Sequence, residues 1–307
     1  MPTVVVESSE PHEGKLMNGS QELLDLYEKT IGSVYSGPLA TEWQKKQRKR
    51  DRQRISQLRR FGIETVDELI TALPVQSIKT IEWAAGLLWW LKVKKAAPVL
   101  WRLMRRPELK LICATAIGLL DSKTFQRKFA ALGKRELVCA DPCVEKLHAV
   151  VLGLRYADTP EAVEVLVSIF ERNDLPDWLR GDAADHLGTC YPARDRRTRL
   201  FQRTVNAAIA GLDDDIYMRF GSMYVLASFA WRSGAVRRSQ TNRVFELALP
   251  RLREIAKHDT RLSPGFWWPM SAEAEDAIGC IETGSWPEPD AADRWSHNTK
   301  RGEWDRP

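Results

Sequence analysis

Apolar positions recur with a helical period along most of this chain, and small residues mark where the helices should touch. The pattern is clearest in Lys110-Leu-Ile-Cys-Ala-Thr-Ala-Ile-Gly-Leu119. It returns as Glu145-Lys-Leu-His-Ala-Val-Val-Leu-Gly-Leu154 and as Arg180-Gly-Asp-Ala-Ala-Asp-His-Leu-Gly-Thr189. With the glycines in register, Gly118, Gly153 and Gly188 stand 35 residues apart. Ala114, Ala149 and Ala184 form one column, and Ile117, Leu152 and Leu187 the next. A fourth copy, Arg219-Phe-Gly-Ser-Met-Tyr-Val-Leu-Ala-Ser228, follows 39 residues on, with Ala227 in the glycine position. A fixed period with one small residue per copy predicts stacked helical units whose neighbours approach closely.

Residues 1–19 are polar and aperiodic, which predicts a disordered N-terminus. Ser20 should cap a helix whose stripe is Leu23, Leu24, Leu26 and Tyr27. Gly32 and Ser36-Gly-Pro38 end it. The pattern then predicts a charged helix over 42–60, whose apolar content is Trp43, Ile55 and Leu58, and a short helix over 65–73. Ser77–Leu91 is apolar almost all round and reads as a helix buried between neighbours. These segments form an α-helical N-terminal cap over 20–93. The repeat array covers 94–282, beginning with an amphipathic helix over 94–106. Asp158-Thr-Pro-Glu161 is a capped start with proline in the first helical position. Leu200–Leu212 supplies a further helix, and Asn242–His258 another, kinked at Pro250. Ser271–Glu282 carries a faint fifth copy. Residues 283–307, with Trp286, Trp295 and Trp304, have no period and predict a disordered tail.

Charge changes the picture at one place. Residues 45–60 carry Lys45, Lys46, Arg48, Lys49, Arg50, Arg52, Arg54, Arg59 and Arg60 against Asp51 alone, a net +8. The whole chain of 307 residues is +5, so the remainder carries −3. The positive charge therefore belongs to one helix, which could pair with a polyanion or with an acidic partner. Five Cys, an odd number without paired spacing, predict reduced thiols and a cytoplasmic setting. The start of the chain has no secretory pattern. Its longest apolar run, Trp83–Leu91, is about half of what a bilayer span needs.

The motif Arg180-Gly-Asp-Ala-Ala-Asp-His-Leu-Gly188, preceded by Asp158-Thr-Pro-Glu-Ala-Val163, resembles the HEAT-like repeat of the lyase type. Asp213–Leu226 is similar, with Arg219 in the arginine position. The resemblance covers about 95–230 and continues more weakly over 240–282; the first two copies depart from it with Lys110 and Glu145. Tetratricopeptide repeats share the period and match Leu187-Gly-x-x-Tyr191, but Pro192 interrupts their helix. The resemblance implies an all-α fold, an α-solenoid of helical pairs, with a concave surface that binds a protein partner. It implies no lyase activity. Some HEAT-like proteins are DNA glycosylases that hold a base with aromatics and an acid. Trp178 beside Asp182, and Trp231 beyond Arg219, suit that comparison. A nucleic-acid-binding HEAT-like protein using the basic helix is thus the alternative to a non-enzymatic scaffold.

Other candidate chemistry is sparse. Asp182 and His186, spaced i, i+4 with Asp185 between them, could contribute to a metal site, but no second ligand pair is in evidence. Cys139 and Cys143 flank Asp141-Pro142 without a matching downstream pair. His148 falls in the small, inward column of the repeat and reads as a packed core histidine. No catalytic set, cofactor or metal is predicted.

Overall fold

The computed structural model describes residues 22–32, 42–120, 123–196, 198–232, 243–266, 268–288 and 290–291. Among them the fold is helical, without a strand; the sole strand-like pairing is a bridge between Leu262 and Pro269. The chain divides into two compact units, Met1–Val99 and Leu100–Pro307.

In the first unit α1 (Glu22–Tyr27) runs into a π-helical turn, followed by α2 (Glu42–Arg60), α3 (Val66–Ala72) and α4 (Ile78–Trp90). The expected cap at Ser20 lies outside the described residues, as does the segment 1–19. Gly62, at φ +73°, stops α2. Its N–H donates to Arg59 O while that of Ile63 donates to Leu58 O, which satisfies two of the last carbonyls. Thr65 and Glu68 form a reciprocal capping box at α3, and Ser77 caps α4. Leu23, Tyr27, Ile55, Leu58, Ile63, Leu69 and Ile81 are buried. Helix α4 is less enclosed than its composition implies. Ala84, Ala85, Leu87 and Leu88 are buried, yet Ile78 and Trp90 are exposed. The expected amphipathic helix over 94–106 is shorter, a 3-10 turn at 94–96 followed by α5 (Ala97–Leu103).

The second unit contains α6 (Lys110–Leu119), α7 (Lys123–Leu137), α8 (Val144–Gly153), α9 (Pro160–Glu171), α10 (Asp177–Leu187) and the short α11 (Tyr191–Arg194). It continues with α12 (Arg199–Gly211), α13 (Ile216–Arg232), α14 (Arg243–Glu246), α15 (Leu249–His258) and α16 (Met270–Thr283). Helices α6, α8, α10, α13 and α16 pack on one another in that order and form a first row. Helices α7, α9 and α12 form a second, packed on α8, α10 and α13 respectively, with α9–α12 and α7–α9 in contact. Helix α15 packs on α16. Thr159 caps α9 ahead of Pro160, as its sequence dictates.

The small-residue column is buried at helix contacts, Gly118 against α8 and Gly188 against α13 in the first row, and Gly153 beneath the Phe129 ring of α7. Ala114, Ala149, Ala184, Gly118, Gly153, Gly188 and Ala227 are all buried. A Cβ on Gly118 would overlap Leu152 O and stand 3.2 Å from Gly153 Cα. One on Gly188 would stand 2.6 Å from the Tyr224 ring. A second close approach, which the column does not mark, joins α10 and α13 through Gly181 and Gly221: a Cβ on Gly221 would lie against Gly181 O.

Two expectations are corrected. Pro250 does not kink a helix running from Asn242; the chain turns at 247–248 and Pro250 sits in the first turn of α15, where a missing N–H is harmless. Nor is the tail unstructured from residue 283. Pro287 packs over Gly279, the Trp286 ring meets Trp231 edge-on at 5.6 Å, and the Ala291 N–H donates to the buried Asp276 at 2.7 Å. Trp295 and Trp304 lie outside the described residues.

Candidate interaction surfaces

The repeat arginines have a structural task. Arg180 is buried and donates to Phe170 O (3.2 Å), Asp177 (2.9 Å) and Asn173 (3.0 Å), bracing the turn between α9 and α10. It also reaches Asp214, ahead of α13, at 3.3 Å. Arg219 repeats the arrangement: it donates to Leu212 O and Asp214 O, and to Asp259 at 2.7 Å. Hydrogen bonds from Arg261 and then Arg219 hold the Asp259 carboxyl at about 2, below its ordinary value. Both arginines are therefore committed to joining neighbouring helices of the second unit.

The exposed side of the first row carries a different chemistry. Trp178 on α10 and Tyr217 on α13 occupy equivalent positions and are 36% and 48% exposed. They flank the Gly181–Gly221 crossing, three and four residues before each glycine. His148 is not a core histidine. Its side chain is 21% exposed, whereas its counterparts in the repeat, Cys113 and Ala183, are fully buried. Its Nε2 stands 3.3 Å from Asp182, and its ring meets Trp178 edge-on at 4.9 Å.

Asp182 is thus drawn towards α8 rather than towards His186. The His186 ring is buried, and neither nitrogen has a hydrogen-bond partner among the described residues, although Asp185 lies 3.4 Å from Nδ1. No group of three or more metal-ligating residues occurs among the described residues. Cys113, Cys190 and Cys280 are buried, and burial pushes each thiol up to about 12; Cys139 and Cys143 are exposed and unpaired with each other. Trp231, the second aromatic of the glycosylase comparison, faces Trp286.

The basic helix α2 divides into two sides. Ile55 and Leu58 are buried, and near them Asp51 accepts from Tyr27 Oη at 3.0 Å and from Gln47 at 2.9 Å. Arg54 leans over the Trp83 ring, 5.8 Å from its centroid, and lies 3.9 Å from Asp51. On the other side Lys45, Arg48, Lys49, Arg52 and Arg60 line one open groove. Lys46 and Arg50 are exposed outside it, and Arg59 is half-buried. Glu28 from the π-turn is bound by both Arg52 and Arg48. Those two guanidinium groups, Arg52 foremost, lower its carboxyl to about 2. Net charge alone identifies the cations but not this acid, which arrives from 20 and 24 residues upstream.

No helix among the described residues is long and apolar enough to cross a membrane. No family model matches this chain, and neither do any curated protein or solved structure.

Proposed function

We propose that the chain is a non-enzymatic protein-binding scaffold, an α-solenoid of HEAT-like repeats behind an α-helical cap. Support for the repeat reading comes from interactions at one-period separations. Lys110 pairs with Glu145 across 35 residues, Arg172 donates to Leu137 O across 35, and Thr189 donates to Arg155 O across 34. Such contacts join like positions of successive units, which is how stacked repeats are stabilised.

The observation that carries the binding reading is the exposed Trp178–Tyr217 pair. Two large aromatics sit on helices locked by backbone contact at Gly181 and Gly221, so they are presented with little conformational freedom. Rigid exposed aromatics are the side chains that anchor protein interfaces. Asp182, 44% exposed beside Trp178, adds a carboxylate that favours a partner with a donor or cation opposite it. The test is affinity capture with the intact chain and with Trp178→Ala/Tyr217→Ala, each checked for an unchanged melting temperature. A stoichiometric protein partner lost only from the double variant supports the reading. Identical captured sets overturn it.

A further inference from the structure

Trp178 shares its part of α10 with two carboxylates. The Asp182 carboxylate, one turn on, lies 3.3 Å from His148 Nε2, and the same imidazole meets the Trp178 ring edge-on at 4.9 Å. Ring and carboxylate therefore border one space, and a flat nitrogen-bearing ring already rests against both. Asp185 follows three residues later on the same helix face, and its side chain is partly exposed. Tyr217 is carried beside this face by the close approach of the two helices: a Cβ on Gly181 would stand 2.5 Å from Tyr217 O. The charge here is one-sided. Helix α10 carries Asp177, Asp182 and Asp185 against a single arginine, Arg180, which is buried and bound to Asp177 and Asp214. Among the described residues neither Asp182 nor Asp185 has a lysine or arginine partner; the imidazoles of His148 and His186 are the groups beside them.

Given a protein partner at Trp178 and Tyr217, on which this rests, we propose that it presents a basic segment, one of whose arginines seats against the Trp178 ring and the carboxylates of Asp182 and Asp185. A guanidinium suits both kinds of group at once. It stacks on an aromatic face while its planar fork of N–H groups donates to carboxylate oxygens. The methylene stem of the arginine then lies along apolar surface, which Tyr217 supplies. A neutral segment would cover two carboxylates without compensating their charge, and an acidic one would set like charges together; each loses affinity.

The experiment follows the anisotropy of a fluorescein-labelled hexa-arginine peptide titrated with the full chain at low salt. The wild-type chain should bind it, and more tightly than a hexa-lysine peptide of the same charge. Trp178→Leu, which keeps apolar bulk but removes the ring, should weaken binding about two- to fivefold, the span of one exposed cation–π contact. Asp182→Asn/Asp185→Asn should weaken it about fivefold or more, as expected for two exposed ion pairs. Glu161→Gln/Glu246→Gln removes the same charge from exposed positions on other helices and should leave the affinity unchanged. Circular dichroism and melting curves confirm that each variant is folded. Absence of hexa-arginine binding, binding unchanged by either site variant, or an equal loss in the Glu161/Glu246 control overturns the basic segment. Equal affinity for hexa-lysine overturns the arginine seat. In affinity capture, Asp182→Asn/Asp185→Asn should lose the partner that Trp178→Ala/Tyr217→Ala loses. Retention by the asparagine variant alone overturns the basic segment and leaves the binding surface standing, whereas retention by both overturns the surface itself.

Discussion

Lys110 donates to Glu145 at 2.8 Å, and the two residues occupy the same position in successive copies of the repeat. That position is arginine in the next two copies, Arg180 and Arg219. The two departures from arginine are therefore a matched pair: a cation on α6 faces an anion on α8. Glu145→Arg, which would make the copy conform, should place like charges together and destabilise the chain. Lys110→Glu alone should do the same, and Lys110→Glu/Glu145→Lys should restore stability. Glu145 is half exposed, so solvent screening limits each single effect to about 0.5–1 kcal/mol. A double-mutant cycle from urea melts measures the coupling, and additive effects would show that the pair contributes nothing.

Gly118 tolerates no side chain, because the backbone of α8 stands in its place. Gly118→Ala should lower stability by about 1–3 kcal/mol, the usual cost of overpacking a closed contact. Gly153→Leu should cost more, since the Phe129 ring covers that site. Thermal melting at the wild-type midpoint for Gly118→Ala would contradict the contact.

Acid should weaken the second unit through Asp259. Its carboxyl is lowered from 3.8 to about 2, so the folded state favours the ionised form. The resulting stabilisation is complete above the ordinary carboxyl range and is lost as pH falls through that window towards about 2. Asp259→Asn should be less stable at neutral pH and should show a flatter decline in stability below pH 3.8. Parallel stability curves for the two proteins would mean that Asp259 is not the group responsible.

His186 is buried without a hydrogen bond to either ring nitrogen from the described residues. Leucine at this position removes two unsatisfied polar atoms at a modest change in volume. His186→Leu should therefore leave stability unchanged or raise it by about 1 kcal/mol. A marked loss in the melting midpoint would reveal a partner for the ring.

The glycine column and the helix caps could be read from the sequence because each depends on local chemistry or on a strict period. Gly118, Gly153 and Gly188 announce their contacts by spacing, and Thr159-Pro160 announces a helix start by residue type. Helix α7 left a weaker trace. Phe125, Phe129 and Ala130 have helical spacing, but buried Gln126 and Glu136 blur the apolar stripe, and Gly133 resembles a break. Gly133 is in fact a contact, with Val150 and Val165 standing where a side chain would be. His148 was obscured because its counterparts in the repeat, Cys113 and Ala183, are fully buried. Glu28 and the packing of Trp286, Pro287 and Ala291 depend on partners distant in the chain, which no periodicity encodes.

The matched pair at Lys110 and Glu145 has a mechanical corollary. With an acid at 145, α8 has no cation at that position to extend towards α10, as Arg180 extends to Asp214 and Arg219 to Asp259. Across the α8–α10 junction, where the helices also pack directly, the side-chain pair is His148 with Asp182. Behind it the second row stays fastened, by Gln126 to the loop ahead of α9 and by Arg172 to the end of α7. The joint is thus held at the back by hydrogen bonds to backbone and at the front by a single side-chain pair, and the Trp178 ring stands at that front edge against His148.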